Sequence, residues 1–260
     1  MKTHVFIDGR KQLSAMIHNF KTVPVGTAVV ILCHGFTGDK IGANQFMLNL
    51  GKAIEAAGKI AVRFDFAGSG ESQGEFADDT KASGWQHDLK SIVSWVKKQP
   101  EFAGSPIFLL GHSLGGLIAL TYPDDPAISG RIAIAPVVYP VETFRSEGIL
   151  GPEFWEKAAA GETIANFFNK GFSLHNGIFV NDLISGNYKP LEDAEKLTTP
   201  LLIIHGTADL AVPPAGSEEL YQRYKGEAMF HRLEGADHVF TGRHADVQSS
   251  IVNWLKKWEQ

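Results

Sequence analysis

The stretch IFLLGHSLGGLIAL at residues 107–120 decides the fold predicted for this chain of 260 residues. Residues 107–110 are apolar, as in a buried strand, and Leu114, within the sequence Gly-His-Ser-Leu-Gly at 111–115, opens a helix-like run. A serine between a strand and a helix sits in a strained turn that exposes its hydroxyl, and glycines at positions 111 and 115 avoid collisions there. The stretch therefore predicts a nucleophile elbow at Ser113; the alternative is a glycine-rich turn in which the serine is incidental.

Short apolar runs on both sides of this stretch alternate with helix-like segments. The other strand-like runs are residues 28–33, 60–64, 131–135, 201–204 and 228–233, and the helix-like segments are residues 44–57, 85–97, 217–225 and 246–259. Continuous apolar strands that alternate with helices are typical of a mostly parallel sheet with helices on both faces. Residues 5–7 and 13–18 flank Asp8-Gly9, a dipeptide that favours a hairpin, so we expect an antiparallel N-terminal edge.

The connection between the strand that ends at residue 135 and the strand that starts at residue 201 is too long for a simple crossover. Nine of the 54 residues at positions 137–190 are aromatic, a higher share than the 10% of the whole chain. Such an insertion on an α/β sheet is typical of a cap that lines a pocket, although its aromatic residues can also form a small core of their own. We expect an α/β core of residues 1–136 and 191–260 and an inserted cap of residues 137–190.

A serine hydroxyl becomes an effective nucleophile only with a base beside it and a group that orients the base. Asp209 follows a late strand in the sequence HGTAD, and His238 follows the next strand in the sequence EGADH. Both lie where the carboxyl ends of parallel strands gather site residues, which predicts Ser113, Asp209 and His238 as a catalytic triad. The rival acids are Asp237, which adjoins the base, and Asp65, which we expect to organise the loop after an earlier strand.

A second glycine-rich turn, HGFTG at residues 34–38, directly follows an apolar run. Attack on a carbonyl carbon places negative charge on its oxygen, and preorganised backbone N–H groups stabilise that charge. The amides of Phe36 and Leu114 are placed for this role, and Gly35 lets the backbone come close. The sequence thus predicts an oxyanion hole formed by Phe36 and Leu114; the alternative is an ordinary glycine turn after a strand.

The composition excludes several classes of function. Lys and Arg number 24 against 29 Asp and Glu, a net charge of −5, so the chain has no basic surplus for nucleic acid or an anionic membrane. Cys33 is the single cysteine, and the chain shows neither a membrane-spanning run nor a signal peptide, so we expect a soluble cytoplasmic protein. The glycines at 68, 70 and 74 miss the dinucleotide-binding spacing and no metal-ligand cluster appears, so we expect no cofactor and no metal.

Five motifs together resemble the α/β-hydrolase superfamily over nearly the whole chain. They are HGFTG at 34–38, RFDFAGSGES at 63–72, GHSLGG at 111–116, IIHGTAD at 203–209 and EGADH at 234–238. With an insertion of this size after the sixth strand, the combination is similar to bacterial cinnamoyl or feruloyl esterases and related carboxylesterases. The resemblance implies the α/β-hydrolase fold and the same roles as above, with Ser113 as nucleophile, His238 as base and acid, and Asp209 as the residue that orients it.

These observations predict a serine esterase that cleaves small-molecule carboxylic esters through an acyl-enzyme intermediate. The resemblance implies a cinnamoyl, feruloyl or short-chain ester as substrate and, by analogy, a homodimer. Phe144, Trp155 and Phe179 of the insertion are the candidate substrate-binding residues, and Phe179 stands where a phenol-reading tyrosine is expected. A thioesterase, a monoacylglycerol lipase and a peptidase on the same fold are alternatives, as is a non-catalytic ligand-binding module.

Overall fold

The computed structural model of the chain describes residues 1–169, 171–186 and 188–258. Its strands are β1 (Lys2–Ile7), β2 (Leu13–His18), β3 (Val29–Cys33), β4 (Ile60–Phe64), β5 (Ile107–His112), β6 (Ile128–Ile134), β7 (Ile164–Ala165), β8 (Ser173–Leu174), β9 (Leu201–Gly206) and β10 (Ala228–Leu233). Within the described ranges, eight of these strands form one sheet in the order β1-β2-β4-β3-β5-β6-β9-β10, and β7 pairs with β8.

The helices connect these strands and cover the large sheet. They are α1 (Phe46–Ala56), α2 (Phe76–Asp79), α3 (Ala82–Lys98), α4 (Leu114–Leu120), α5 (Pro140–Arg145), α6 (Gly151–Ala159), α7 (Ile178–Ser185), α8 (Pro190–Ala194), α9 (Ala215–Arg223) and α10 (His244–Leu255). In the described part of the chain, none of them is both long enough and apolar enough to cross a membrane.

The sheet is parallel except at its N-terminal edge. Strands β1 and β2 pair antiparallel, with Ile7 opposite Leu13, and β2 pairs antiparallel with β4. The other neighbouring strands of this sheet run parallel, from β4 through to β10. The predicted mostly parallel sheet with an antiparallel N-terminal edge is thereby confirmed.

The predicted strands and helices are present, but several ends differ. Strand β6 starts at Ile128, three residues before the predicted start, because Ile128 already pairs with Ile107 on β5. The apolar pattern did not predict this start, since Ser129 and Gly130 interrupt it. Helix α10 ends at Leu255 and continues into a short 3-10 helix, Lys256–Trp258. The predicted end of this helix at residue 259 lies outside the described residues.

Alternate side chains of the central strands enter two separate layers of core. On β3, Val29 and Ile31 belong to the layer that contains Trp85 of α3, whereas Val30 and Leu32 belong to the layer beneath α1 and α10. Successive side chains of a strand point to opposite faces of the sheet, so a strand that is apolar at every position needs a helix layer on both faces. This explains why the central strands read as unbroken apolar runs in the sequence.

The segment between β6 and β9 packs onto the same core layer as α3. Its buried aromatic and apolar side chains form one continuous cluster with those of the sheet; examples are Phe144, Leu150, Trp155, Phe167 and Phe179. In the described part of residues 137–190, these side chains therefore share the core of the sheet and do not form a separate core.

Asp65 joins the loops that follow β3 and β4. One carboxylate oxygen accepts the backbone N–H of Lys40 at 2.6 Å, and the other accepts the Lys40 ammonium at 2.5 Å and the N–H of Glu71 at 2.9 Å. The buried guanidinium of Arg63 donates to the carbonyl of Lys40. Asp65 therefore serves the loop structure, and these bonds fix the far end of the loop that carries Phe36.

We expect Asp65→Asn to lower the free energy of unfolding by about 3 kcal/mol, because the buried Lys40 ammonium keeps only the exposed carboxylate of Glu71 as a counter-charge and three hydrogen bonds to Asp65 are weakened or lost. Urea unfolding followed by tryptophan fluorescence measures this change. The control Asp193→Asn removes an exposed partner of Lys196 and should cost less than about 1 kcal/mol. Equal losses from the two substitutions would contradict the structural role given to Asp65.

Candidate active site

Ser113 occupies a sharp turn between the end of β5 and the start of α4. Its backbone has φ 56° and ψ −121°, a conformation that residues with a side chain rarely adopt. A Cβ atom on Gly111 would lie 2.1 Å from the carbonyl oxygen of Gly115, and one on Gly115 would lie 2.4 Å from that of Cys33. Glycine is therefore required on both sides of the turn, and the chain has the geometry of a nucleophile elbow.

Asp209 follows β9 and has a fully buried carboxylate. Oδ1 accepts the backbone N–H groups of Ala211 at 3.0 Å and Val212 at 2.8 Å. Oδ2 is 2.7 Å from Nδ1 of His238, which follows β10. Since an ionised carboxylate only accepts hydrogen bonds, the proton between the two groups lies on Nδ1 of His238. The structure thus brings together two of the three residues predicted as a triad in direct contact.

His205 is a second imidazole on the same carboxylate. Its Nε2 atom lies 3.2 Å from Oδ2 of Asp209 and 2.8 Å from the carbonyl of Val212. Its Nδ1 atom lies 2.7 Å from the hydroxyl of Ser217 on α9. Burial by itself would raise the pKa of Asp209, but the hydrogen bonds from His205 and His238 outweigh burial and hold that pKa well below its usual range. Asp209 is therefore ionised at neutral pH.

The loop that carries His238 is anchored by its neighbours. His112 donates a hydrogen bond from Nε2 to the carbonyl oxygen of His238 at 3.0 Å. Burial, together with the nearby His238, lowers the pKa of His112 to about 3. His112 is therefore neutral and does not act as a second cation beside His238. Asp237, the rival acid, accepts the N–H of Thr241 at 2.8 Å and closes the turn after β10.

Ser113 and His238 face the same cavity, which has a volume of about 500 Å³. Asp209 contacts Nδ1 of His238 and is absent from the described residues that line the cavity. Eight of the lining residues have apolar side chains, six have polar side chains and four are glycines; the lining comprises His34, Gly35, Phe36, Thr37, Gly38, Asp39, Gly42, Ala43, Phe46, Met47, His112, Ser113, Gly148, Ile149, Phe168, Ala211, His238 and Val239. Among the described residues, no cluster of three or more His, Cys, Asp or Glu side chains is arranged to hold a metal.

Two backbone N–H groups beside Ser113 are without an acceptor in the described part of the chain. The N–H of Leu114 is the first of helix α4, where no intrahelical acceptor exists. The N–H of Phe36 lies in the loop after β3 and donates to no other group there. A Cβ atom on Gly35 would lie only 3.0 Å from Cβ of Ser113, so this loop and the elbow are in close contact.

The three aromatic residues predicted to bind substrate lie elsewhere. Among the described residues, the cavity lining does not include Phe144, Trp155 or Phe179. Their exposed fractions are 0%, 4% and 1%, so all three are buried in the core layer shared with the sheet. The sequence pattern showed an excess of aromatic residues in residues 137–190 but carried no information about which of them faced the cavity. The prediction that Phe144, Trp155 and Phe179 bind substrate is therefore wrong.

Other residues take their place in the cavity wall. Residues 137–190 contribute Gly148, Ile149 and Phe168, and Phe168 is 40% exposed. Phe46 and Met47 open helix α1 soon after the HGFTG turn. Their closeness in sequence to that turn was the one signal that could have identified them. The position of Phe168 depends on a turn in which its own φ is 58°, and no sequence pattern predicts that turn.

The depressed pKa of Asp209 predicts a specific acid sensitivity. The folded protein binds fewer protons at this carboxyl than the unfolded chain does, so its contribution to stability is complete at neutral pH and is lost as the pH falls below about 4. We therefore expect the stability difference between the unsubstituted protein and Asp209→Asn to shrink between pH 7 and pH 3. Urea unfolding at several pH values measures it, and a difference that stays constant would contradict this account.

Comparison with known proteins places this geometry in a family. Residues 26–170 and 176–242 match the Hydrolase_4 family, described as serine aminopeptidase S33. A human monoglyceride lipase is 26% identical over an alignment that covers 90% of this chain and 84% of the relative. An uncharacterised Escherichia coli protein of 31.7 kDa is also 26% identical, over 88% of this chain and 90% of its own.

Solved structures share the fold at low sequence identity. Est1E from Butyrivibrio proteoclasticus with bound ferulic acid superposes with a TM-score of 0.84 at 24% identity, covering 97% of this chain and 98% of its own. The Pyrococcus furiosus esterase PF2001 gives 0.74 at 24% identity, covering 100% and 91%. The family match extends over most of the chain, from the loop before β3 to the turn that carries His238. This chain belongs to the Hydrolase_4 family of serine hydrolases and has the α/β-hydrolase fold.

Proposed function

We propose that this protein is a serine esterase that hydrolyses carboxylic esters, with Ser113, His238 and Asp209 as its catalytic triad. The observation that carries the proposal is the contact of 2.7 Å between His238 and Asp209, combined with the shared cavity of His238 and Ser113. With Nδ1 of His238 bound to the carboxylate, Nε2 is the ring atom left to accept a proton from Ser113.

The reaction begins when His238 removes the proton of Ser113 and the serine Oγ attacks the ester carbonyl carbon. The electron pair of the carbonyl moves to its oxygen, and the N–H groups of Phe36 and Leu114 stabilise the resulting oxyanion. His238 then gives its proton to the leaving alcohol, and the acyl group stays on Ser113. Water repeats the same steps, releases the carboxylic acid and restores the serine.

Asp209 is suited to hold His238 throughout this cycle. Its Oδ1 atom is bound by two backbone N–H groups, so the carboxylate is fixed and presents Oδ2 to Nδ1 of His238. Because Asp209 is ionised, it stabilises the imidazolium that forms when His238 takes the serine proton. Asp209 orients the base and keeps its own charge.

Residues 137–190 act as a cap in this proposal. They supply Gly148, Ile149 and Phe168 to the cavity, while residues 1–136 and 191–260 supply the triad and the oxyanion hole. The exposed ring of Phe168 stands at the edge of the site and can contact a substrate. The cap thus shapes the space for the acyl or alcohol group and takes no part in proton transfer.

The cavity favours a neutral, apolar ester. Its lining among the described residues includes no Lys or Arg, so a substrate carboxylate or phosphate would find no cation there, and Asp39 would repel it. The rings of Phe46 and Phe168 and the side chains of Met47 and Ile149 offer apolar contact. Oδ1 of Asp39 already accepts the N–H groups of Ile41 and Gly42, so the other oxygen of this carboxylate is the one left for a polar group of the substrate. We propose short-chain acyl esters as the substrates.

Monoacylglycerol hydrolysis is the second candidate. The relative named monoglyceride lipase aligns with 90% of this chain, and a monoacylglycerol is a neutral ester of the kind the cavity favours. Hydroxycinnamoyl esters, suggested by the Est1E complex, are the third; the likeness to that protein, at 24% identity, is one of fold. All three substrates would use the same Ser113, His238 and Asp209.

We expect Ser113→Ala to lower kcat about 10⁴- to 10⁶-fold on p-nitrophenyl butyrate, because the nucleophile is lost while binding is kept. The control is Ser105→Ala, since the Ser105 hydroxyl is buried and has no hydrogen-bond partner among the described residues. This control should keep full activity, and only Ser113→Ala should lose labelling by a fluorophosphonate. A Ser113→Ala protein with most of its activity would overturn the proposal.

The acyl preference is tested with methyl butyrate and methyl ferulate, which release the same alcohol. We expect kcat/KM to be at least about 10-fold higher for methyl butyrate, because the phenol of ferulate loses water and gains few hydrogen bonds in the cavity. A preference for methyl ferulate would favour the hydroxycinnamoyl alternative. Including 1-monobutyrin in the same assay compares glycerol with methanol as the leaving group and addresses the second candidate.

A further inference from the structure

The side chain of Phe36 is the centre of an aromatic cluster. Within the described part of the chain, five phenylalanine rings lie around it, at centroid distances of 5.6 Å for Phe76, 5.1 Å for Phe144, 5.8 Å for Phe167, 6.3 Å for Phe168 and 4.9 Å for Phe179. Four of these rings belong to residues 137–190. The aromatic excess of that segment is therefore concentrated around one residue of the loop after β3.

Phe144 and Phe179 make the closest of these contacts. The ring of Phe179 stacks on Phe36 with an interplanar angle of 21°, and the ring of Phe144 meets Phe36 edge to face at 88°. Phe144 and Phe179 also touch each other, with centroids 4.8 Å apart. These separations and angles are those of favourable aromatic pairs, and three rings in mutual contact define one position for Phe36.

The backbone around Phe36 is also restrained by hydrogen bonds on one side. The carbonyl of Gly35, which belongs to the same peptide group as the N–H of Phe36, accepts the N–H of Gly38 at 3.0 Å and the Nδ1–H of His34 at 2.9 Å, and Thr37 has φ 57°. His34 and Lys40 are fixed at the two ends of the loop by hydrogen bonds to the β4 side of the sheet. Between these ends, Phe36 lies outside any ladder of the sheet, so the packing of its ring is the restraint on the Cα side of this peptide group.

We infer that Phe179 and Phe144 are positioning residues, which hold the ring of Phe36 so that its N–H points at the developing oxyanion. The inference rests on the proposed function, because it concerns the amide assigned to the oxyanion hole. Residues 137–190 then have two roles: they shape the cavity, and through Phe144 and Phe179 they hold the N–H of Phe36 in position. An N–H donor stabilises an oxyanion only when it is held in place before the reaction, so a loosened Phe36 costs rate and leaves ground-state binding unchanged.

Phe179→Leu tests this inference, since it removes the stacked ring from a residue that does not line the cavity. We expect kcat for p-nitrophenyl butyrate to fall about 10-fold with KM changed less than about two-fold, which is less than the 100- to 1000-fold loss typical when a donor is removed outright. Phe144→Leu should act in the same direction. It serves as the second variant if Phe179→Leu does not fold, as judged by circular dichroism.

A second readout reports on the oxyanion itself. An alkyl trifluoromethyl ketone forms a bond between its carbonyl carbon and Oγ of Ser113, the carbonyl electron pair moves to oxygen, and the serine proton goes to His238. The oxyanion of this adduct occupies the proposed hole. We expect the inhibition constant of the ketone to rise in Phe179→Leu by about the same factor as kcat falls, because both depend on the N–H of Phe36.

The matched control is Phe102→Leu. Phe102 is buried in the same core layer and contacts Phe20 and Trp95, and no ring contact joins it to Phe36 in the described residues. Phe102→Leu also removes a phenylalanine ring, so it reports the cost of a weakened core alone. It should leave kcat and the inhibition constant of the ketone unchanged.

The outcomes separate the two proposals. Equal effects of Phe179→Leu and Phe102→Leu, or a loss confined to KM, would overturn the positioning role while Ser113→Ala stayed inactive. Activity retained in Ser113→Ala would overturn the proposed function instead. A fall in kcat with a parallel rise in the inhibition constant, seen in Phe179→Leu and absent in Phe102→Leu, would support the inference.

Discussion

The strained backbone of Ser113 is the constraint on which the other parts of the site depend. A residue with a side chain keeps a φ of 56° only when its surroundings hold it there, and here the neighbouring strand does so. The N–H of Ser113 donates to the carbonyl of Ile134, and its own carbonyl accepts the N–H of Val137 at 3.1 Å. Hydrogen bonds to strand β6 and to the start of the inserted segment thus hold the turn at Ser113 on one side. Gly111 and Gly115 leave room for α4 and the β3 loop on the other sides.

The parallel sheet then brings the remaining groups to the elbow. Strand β3 is the neighbour of β5, so the loop that carries Phe36 starts beside Ser113. Strands β9 and β10 pair in register, and the loops after them deliver Asp209 and His238 to each other. Buried polar groups complete the arrangement: His205 contacts the carboxylate of Asp209, His112 donates to the carbonyl of His238, and Asp65 holds the β3 loop at Lys40. The bonds of His112 to His238 and of Asp65 to Lys40 join loops after different strands, whereas His205 and Asp209 both lie at the end of β9.

The aromatic residues of the inserted segment divide into two groups. Phe168 is partly exposed in the wall of the cavity, whereas Phe144 and Phe179 are buried against Phe36. An aromatic-rich insertion beside an active site is readily assumed to bind substrate with all its rings. In this protein most of the rings that approach the site pack behind a loop of the core, which links the insertion to the backbone geometry of the site.

The sequence by itself determined the fold and the positions of the polar site residues. Strand, turn and helix around Ser113 follow from local apolar patterns and glycine placement, and Asp209 and His238 follow from their places just after apolar strands. These features depend on neighbours in the chain, which a sequence pattern records. Only the tertiary structure decided that His205 shares the carboxylate of Asp209, that Lys40 pairs with Asp65, and that Phe179 faces Phe36 in place of the cavity. The Lys40 and Phe179 contacts depend on which faces of distant segments meet, and the His205 contact depends on how the loop after β9 folds back on its strand; packing selects all three.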